Sequence, residues 1–359
     1  MKLVYATVVI RHGARAPQNA YLPLAQRGHW VCDGEDAYAP RLIGSKDSEY
    51  RRYKQIFDPR LVEFLPNCRA GDLLLQGMEQ HHQLGEMYHK YFFETTKLFD
   101  SNDANNNNYV FARSTDFDRT LRSAESFLGG AFPPLKPFEK ITINRGSEYL
   151  ELLRPSSDFC QDIKDIYTKL DADPDYLNYT NTMWNKIKHI ADEFGVTYSS
   201  SNLNLVANWV VTLECNGQQL PSFVKTEDLE LCQRITADLM YIAFKKNTTV
   251  FVSYAMRELL RVAKEAVNGG NQFKFSLLSS HDSTVGTFLT YLGYQATETI
   301  PPYASHLLME IWKSGEQRYV RWSFNGEVLK IFGGTNEYMK WEDFVEKTNE
   351  VYQYCKELP

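Results

Sequence analysis

Apolar positions along the chain form short, mainly apolar runs in some places and helix-spaced patterns in others. Three short runs of this kind lie at residues 3–10, 109–112 and 273–280. Runs of this length are typical of strands that are buried on both faces of a parallel sheet. The second and third runs lead directly into stretches whose apolar residues have helical spacing. This order predicts strand-to-helix units of a wound α/β sheet.

The limits of these elements follow from residues that favour caps and turns. In the helix after the second run, Gly129-Gly130 predicts the end, and Gly293 predicts the end of the helix after the third run. The first of these helices has candidate caps in Ser114, Thr115 and Asp116. Near the C-terminus, residues 307–312 and 319–331 resemble strands, and Asn325-Gly326 predicts a hairpin turn.

Residues 150–245 have a different pattern. Amphipathic helical stretches occur at about 158–170, 183–194 and 227–244, and loop signals such as Asp173-Pro174 separate them. We therefore predict a helical cap at 150–245, inserted into an α/β core built from 1–149 and 246–359. The excursion at 30–70 has no clear period. It is either a lid over the site or a solvated loop.

The composition is that of a globular protein with an acidic balance. The chain has 359 residues, 43% of them hydrophobic, and a formal net charge of −6. This charge argues against nucleic acid as a partner, and no segment reaches the roughly 20 consecutive apolar residues of a membrane span. We interpret residues 3–10 as a strand, not a signal peptide, so an export signal is absent from this chain.

The cysteines favour disulfides over a metal site, since they form no Cys-x-x-Cys pair and have no histidine at zinc-ligand spacing. Six cysteines allow about 15 pairings. Separation along the chain favours Cys32 with Cys68 and Cys215 with Cys232, which leaves Cys160 for Cys355. Disulfides would place the protein outside the reducing cytosol, in the periplasm, a lysosome or the secreted fraction.

The strongest chemical signal follows the first strand. Arg11-His12-Gly13-Ala14-Arg15 places two guanidinium groups around one histidine, which suits the binding of a small anion. Two further groups, Arg113 and the pair His281-Asp282, follow the other two predicted strands. Ligands of wound sheets bind at the carboxyl ends of the strands. The three groups are therefore expected to share one pocket.

These residues, in this order, carry a specific resemblance. Arg11-His12-Gly-x-Arg15-x-Pro17, Arg113-Ser-Thr-Asp-x-Asp-Arg-Thr120 and His281-Asp282 closely resemble the motifs of the histidine acid phosphatases. The stretches 76–80 and 301–305 are similar to those of the animal prostatic and lysosomal enzymes. The resemblance implies a phosphoglycerate-mutase-like core with a mainly parallel central sheet flanked by helices, and a smaller α-helical cap.

The resemblance also implies an acid phosphatase without metal or cofactor. His12 would be the nucleophile and carry a covalent phosphoryl group, and Asp282 would act as general acid and then as general base. Phosphate would be bound by Arg11, Arg15, Arg113 and His281. The implied partners are small phosphomonoesters and inorganic phosphate. A homodimer is left open.

Alternative functions remain at this stage. A phytase is less favoured, because Gln18 follows Pro17 where many phytases of the superfamily carry threonine. A phosphomutase-type phosphotransferase would usually place a glutamate as its acid elsewhere. A non-catalytic phosphate-binding protein would keep the pocket without turnover. His81, His82 and His89 invite a metal hypothesis, but a solvated helix face is favoured. Glu310 is either a buried partner that orients a catalytic group or an ordinary structural pairing residue.

Overall fold

The computed structural model describes residues 1–19, 21–22, 28–32, 68–100, 103, 107–133, 140–147, 150–294 and 299–356. Within this part of the chain the strands form one eight-stranded sheet. The strands are β1 (Lys2–Arg11), β2 (Val110–Ser114), β3 (Ile143–Asn144), β4 (Phe275–Ser280), β5 (His306–Ser314), β6 (Gln317–Phe324), β7 (Glu327–Leu329) and β8 (Tyr338–Lys340). Most of the excursion predicted as a lid at 30–70 lies outside the described residues.

The sheet has a parallel half and an antiparallel half. The strand order is β3-β2-β4-β1-β5-β6-β7, and β8 pairs with β6. The pairings from β3 to β1 are parallel, whereas those from β1 onward are antiparallel. The α/β class is thus confirmed. The expected parallel arrangement applies to the half of the sheet in which the three predicted strands lie side by side.

Helices cover both faces of this sheet. They are α1 (Leu75–His89), α2 (Asp118–Ala131), α3 (Gln161–Asp171), α4 (Pro174–Glu193), α5 (Ser200–Cys215), α6 (Thr226–Lys246), α7 (Thr248–Val267), α8 (Asp282–Tyr291) and α9 (Trp341–Lys347). In β1, Val8 and Ile10 pack in the cluster that contains residues of α1 and α2. Val9, from the opposite face, packs in the cluster that contains residues of α7 and α8. Strand β1 is therefore buried on both faces, as the mainly apolar run at residues 3–10 predicts.

Helix α2 continues past the glycines that predicted its end. A Cβ at Gly130 would lie 2.2 Å from the carbonyl oxygen of His82, and a Cβ at Gly85 would lie 2.2 Å from that of Phe127. These glycines therefore permit the close crossing of α1 and α2. The predicted N-terminal caps of α2 were wrong, because its N-cap residue is Phe117, which makes no side-chain capping hydrogen bond.

The helices α3 to α6 lie within the predicted cap region, except that α6 ends one residue beyond it. Asp173-Pro174, predicted as a loop, begins α4, and the Asp173 carboxylate accepts hydrogen bonds from the Asp175 and Tyr176 amides. Helix α5 was missed. Its middle and last turns are buried on most sides, so they give only a weak period. The division into core and cap domains stays a prediction.

Two of the three predicted disulfides are present. Cys32 pairs with Cys68, and Cys160 pairs with Cys355. The third prediction was wrong, because Cys215 and Cys232 are free thiols. Cys232 is packed in the apolar cluster of α4 to α6, whereas Cys215 lies at the exposed end of α5. None of the described helices has the length and apolar character needed to span a bilayer.

Candidate active site

The site lies where three parallel strands end at the same level. Arg11 at the end of β1 is in register with Ser280 of β4, and Ser114 at the end of β2 is in register with Ser279. The residues that follow these strands therefore meet at one edge of the sheet. This brings the His12 and His281 rings together, with their centroids 5.7 Å apart.

His12 is buried, and its ring has a defined orientation. Its backbone N–H donates to the Ser280 carbonyl at 2.9 Å, and its Nδ1 lies 2.9 Å from the Gly13 carbonyl oxygen. Because a carbonyl only accepts, Nδ1 carries the proton and the lone pair stays on Nε2. The Nε2 atom is thus available as a nucleophile.

The loop after β1 is held in place by α1 and α2. The Gly13 amide donates to the Ser123 hydroxyl at 3.1 Å, and the Ala14 amide donates to Gln80 Oε1 at 2.9 Å. A Cβ at Gly13 would lie 2.5 Å from the Gly77 carbonyl oxygen. Glycine at position 13 thus allows the loop to approach α1 closely.

Arg11 is almost fully buried, at 3% exposure. Its Nη2 atom lies 2.9 Å from Asp282 Oδ2, and its Nη1 atom donates to the Pro301 carbonyl. The guanidinium also lies over the Tyr303 ring, 4.4 Å from its centroid. Arg11 is therefore oriented from three sides, with the carboxylate of Asp282 as its charged partner.

Arg15 and Arg119 complete the cationic wall. Arg15 donates from Nη2 to Asn208 Oδ1 of α5 at 2.8 Å. Arg119, in the first turn of α2, lies with its guanidinium 4.6 Å from the centroid of the Phe117 ring. Burial, followed by the charge of Arg15, lowers the pKa of Arg119 to about 10. Even so, Arg119 stays protonated throughout the neutral and acidic range.

Arg113 does not line this cavity, contrary to the sequence prediction. Its guanidinium lies 3.4 Å from Glu151 Oε1 and 3.8 Å from Glu258 Oε1 of α7. Side chains alternate along a strand, so Arg113 shares a face with Phe111, which packs on the α7 side. Arg119, six residues later in the same motif, reaches the cavity instead. The alternation along β2 was the signal that could have distinguished the two arginines.

His281 and Asp282 lie at the start of α8. The Nε2 atom of His281 lies 3.0 Å from the Thr115 hydroxyl, and its ring contacts Phe117 edge to face. Asp282 is the first residue of α8, and its Oδ1 accepts a hydrogen bond from the Ser283 amide at 2.7 Å. Together with His12, both residues line one cavity of about 550 Å³.

The electrostatics of the site favour neutral histidines and an ionised aspartate. Burial, aided by Arg119 and Arg11, holds the pKa of His12 well below its usual value. Burial and Arg119 likewise lower the pKa of His281. Burial alone would raise the pKa of Asp282, but Arg11, His281 and Arg15 outweigh it and lower that pKa. In acid, His12 therefore stays unprotonated.

The wider wall of the cavity is built by the helical region and by α8. Arg154 is a further cation there. Helix α5 adds Ser200, Ser201, Asn204 and Asn208, and α6 adds Leu239, Met240 and Phe244. Arg154 and α5 were not predicted from the sequence, because neither carries a recognisable motif. Both contribute polar groups to the cavity wall.

The other residues considered for a metal site or a pairing role lie outside this cavity. His81 is fully buried beneath Arg11, so the predicted solvated face was wrong for this residue, although His82 is exposed. Glu310 is buried and accepts a hydrogen bond from the Tyr91 hydroxyl at 2.6 Å. It also lies 3.3 Å from Arg321 Nε. Of the two alternatives for Glu310, these contacts favour structural pairing within the sheet.

Comparison with known proteins identifies the family. Residues 2–325 match the model of the histidine phosphatase superfamily, branch 2, and the chain belongs to this family. This confirms the resemblance noted in the motifs. The matched residues include the Arg11-His12-Gly13 motif at the end of β1.

Individual relatives show the same relationship at low identity. Counting factor 60 of Dictyostelium discoideum is 25% identical over 347 residues, which cover 93% of this chain and 82% of the relative. Lysosomal acid phosphatase of Xenopus laevis is 28% identical, over 68% of this chain and 59% of its own length. Mouse prostatic acid phosphatase is 24% identical, over 72% and 70%.

Solved structures confirm the fold. The phytase from Citrobacter braakii superimposes with a TM-score of 0.65 over 98% of both chains, at 14% identity. At this identity the likeness concerns the fold alone. Phosphatases and phytases therefore share the architecture, and the substrate has to be argued from the cavity.

Proposed function

We propose that the protein is an acid phosphatase that hydrolyses phosphate monoesters through a phosphohistidine on His12. The observation that carries this proposal is the orientation of His12. Its Nδ1–H is fixed on the Gly13 carbonyl, and it lines one cavity together with Arg15, Arg119, His281 and Asp282. Such a group has an unprotonated nitrogen beside a cationic site for the phosphoryl oxygens.

In the first step, Nε2 of His12 attacks phosphorus and the ester P–O bond breaks. Arg11, Arg15 and Arg119 bind the equatorial oxygens of the phosphoryl group. His281, which lies next to Thr115, makes a further contact with this group. Asp282 gives its proton to the leaving oxygen. The products of this step are the free alcohol and a phosphoryl group bonded to His12.

In the second step, the Asp282 carboxylate takes a proton from water, and the water oxygen attacks phosphorus. The P–N bond breaks and inorganic phosphate leaves. Asp282 therefore needs both protonation states in one cycle. In the free protein its ion pair with Arg11 favours the ionised state. A bound phosphoryl group that engages Arg11 would weaken this pair and favour protonation.

The first experiment measures phosphate release from p-nitrophenyl phosphate at pH 5, for the wild type and for His12→Ala. We expect turnover by the wild type and a loss of at least about 10³-fold in the variant, since covalent catalysis is removed. Mass spectrometry of quenched protein should show a phosphoryl adduct that His12→Ala lacks. A variant within tenfold of the wild type would contradict the mechanism, and an inactive wild type that binds phosphate would favour a binding protein.

Phytate is a less suitable substrate for this cavity. The described wall offers the cations Arg15, Arg119 and Arg154, and it carries the carboxylates of Asp171 and Asp282. Phytate has six phosphate groups, of which the three arginines can neutralise only a small part. We therefore propose monophosphates as the substrate class, to be tested with phytate, phosphotyrosine, nucleotides and lysophospholipids side by side.

We also propose that the protein works outside the reducing cytosol. Two disulfides join residues that are far apart in the sequence, Cys32 with Cys68 and Cys160 with Cys355. Such bonds persist in oxidising compartments. Lysosomal and prostatic acid phosphatases are among the relatives, which agrees with this location.

A further inference from the structure

A buried charge cluster adjoins the active-site cavity on the α7 side of the sheet. It consists of Arg113, Glu151 and Glu258, together with Arg261, whose side chain is exposed at the edge of the cluster. Arg113 lies between the two glutamates, and Arg261 forms two hydrogen bonds of 2.9 Å with Glu258. The side chains of Glu151 and Glu258 are only 1% and 5% exposed. Charges this deeply buried need partners in defined geometry.

Glu151 connects this cluster to the cavity wall. Its Oε1 atom, which faces Arg113, also accepts a hydrogen bond from the Leu153 amide at 2.9 Å. The Leu153 carbonyl accepts a hydrogen bond from the hydroxyl of Thr284, two residues after Asp282 in α8. The backbone of Leu153 is therefore held from both sides. The next residue, Arg154, lines the cavity.

We propose that Glu151 is a positioning residue for the phosphatase reaction. It fixes the backbone at Leu153 and so places the Arg154 guanidinium at the cavity wall, while Arg113 holds Glu151. Arg154 has an exposed, flexible side chain, so its location depends on where its backbone is held. This inference rests on the proposed function and deepens it.

The reach of Glu151 and its charge can be separated by two substitutions. Glu151→Gln keeps an oxygen acceptor at the same distance from the Leu153 amide but removes the charge. Glu151→Asp keeps the charge but shortens the side chain by one methylene, which withdraws the acceptor. If Glu151 acts through Leu153, the shorter side chain is the more harmful change.

The experiment measures KM and kcat for p-nitrophenyl phosphate, with the melting temperature of each variant. Arg154→Ala should raise KM about tenfold, because one charge-assisted contact to the bound ester is lost. Glu151→Asp should raise KM about three- to tenfold, and Glu151→Gln should stay within about twofold. In the Arg154→Ala background, Glu151→Asp should add no further increase, because both changes act on the same contact.

The matched control is the buried ion pair of Glu310 and Arg321, which lies in the antiparallel half of the sheet. Glu310→Gln should lower the melting temperature and leave KM unchanged. The proposal is overturned if the increases in KM caused by Glu151→Asp and Arg154→Ala multiply in the double variant. It is also overturned if Glu151→Gln raises KM as much as Glu151→Asp.

Two further outcomes are distinguishable. If Glu151→Asp does not fold, Arg113→Gln is combined with Arg154→Ala in the same way, because Glu258 keeps its partner Arg261 in that variant. A multiplied effect there would again contradict the proposal. An inactive wild type contradicts the proposed function instead, whereas an active wild type with independent effects contradicts only the positioning role.

Discussion

Two regions at the edge of the same sheet use arginine in opposite ways. At the cavity, the Asp282 carboxylate pairs with Arg11, and Arg15 and Arg119 line the same cavity as Asp282. In the buried charge cluster behind it, two arginines meet two glutamates. The first region has an excess of positive charge that an anion can offset, whereas the second is balanced by its own residues. The charge balance, not the presence of arginine, marks the binding site.

The same contrast explains why only one region can take part in a reaction cycle. The Arg11–Asp282 ion pair faces the cavity, so a phosphoryl group can compete for the guanidinium. Arg113 pairs with Glu151 and Glu258 and does not line the cavity. When a ligand separates an ion pair, the pKa of its carboxyl group changes. An ion pair that no ligand separates only stabilises the structure.

Among the variants that test this contrast, the largest effect is expected for Asp282→Asn, which breaks the ion pair between Arg11 and Asp282. An amide cannot donate a proton to the leaving oxygen, so kcat for alkyl phosphates should fall by about 10² to 10⁴-fold. The loss for p-nitrophenyl phosphate should be much smaller, since nitrophenolate leaves with little need of a proton. Steady-state kinetics with both substrates measures the difference.

The control for this change is Asp116→Asn, which removes a carboxylate that pairs with Arg145 outside the cavity. It should affect both substrates little. Equal losses on alkyl and nitrophenyl esters in Asp282→Asn would argue against the role of Asp282 as general acid.

A second comparison sets Arg119→Met against Arg113→Met. Arg119→Met should lower kcat/KM by about 10² to 10³-fold, because a donor to the transition-state oxygens is lost. Arg119 is also the largest charge contribution that lowers the pKa of His12. Without it that pKa rises, so the nucleophile becomes protonated at a higher pH. The acidic limb of the kcat/KM profile, measured from pH 3 to 8, should therefore move upward.

Arg113→Met serves as the counterpart. It should lower the melting temperature and raise KM through Glu151, with the acidic limb unmoved. The assignment of Arg119, not Arg113, to the cavity would be contradicted by a shift of the acidic limb in Arg113→Met. The same holds if the limb does not shift in Arg119→Met.

The sequence predicted the catalytic edge of the sheet better than its surroundings. Three buried runs, each followed by a polar cluster, were enough to bring His12 and His281-Asp282 together, because parallel strands end at a common edge. Arg113 was misassigned because the motif contains two arginines six residues apart. Choosing between them requires the direction of a side chain on β2 and the location of Glu258, which comes from a distant helix.

Other features depend on contacts that leave no local pattern. Gly130 indicated the end of a helix, but it serves the crossing with α1, which only the tertiary structure shows. The free thiols of Cys215 and Cys232 illustrate the same limit. Separation along the chain suggested a pair, whereas the packing of α5 and α6 gives the two cysteines different surroundings.

The smallest predicted effect concerns His81, a buried ionisable group beneath the cavity. Burial lowers the pKa of His81 to about 3, and among the described residues neither ring nitrogen has a hydrogen-bond partner of good geometry. In the unfolded chain the pKa of a histidine is about 6.5. Between that pH and the pKa of His81 in the fold, the unfolded chain therefore binds a proton that the folded protein does not bind. Stability should therefore fall by about 1.4 kcal/mol for each unit of decreasing pH in this range.

His81→Leu removes this penalty and keeps an apolar side chain in the core. At pH 4.5 the variant should be more stable than the wild type by up to about 3 kcal/mol, and at pH 7.5 the gain should disappear. Thermal unfolding at the two pH values measures the difference, with His82→Leu as the exposed control. An equal change at both pH values would show that His81 is protonated in the fold. His12 and His281 have lowered pKa values for the same reason, so acid weakens the fold under the conditions in which His12 must stay neutral to act. His81 does not line the cavity, so His81→Leu tests this effect without removing a group from the cavity wall.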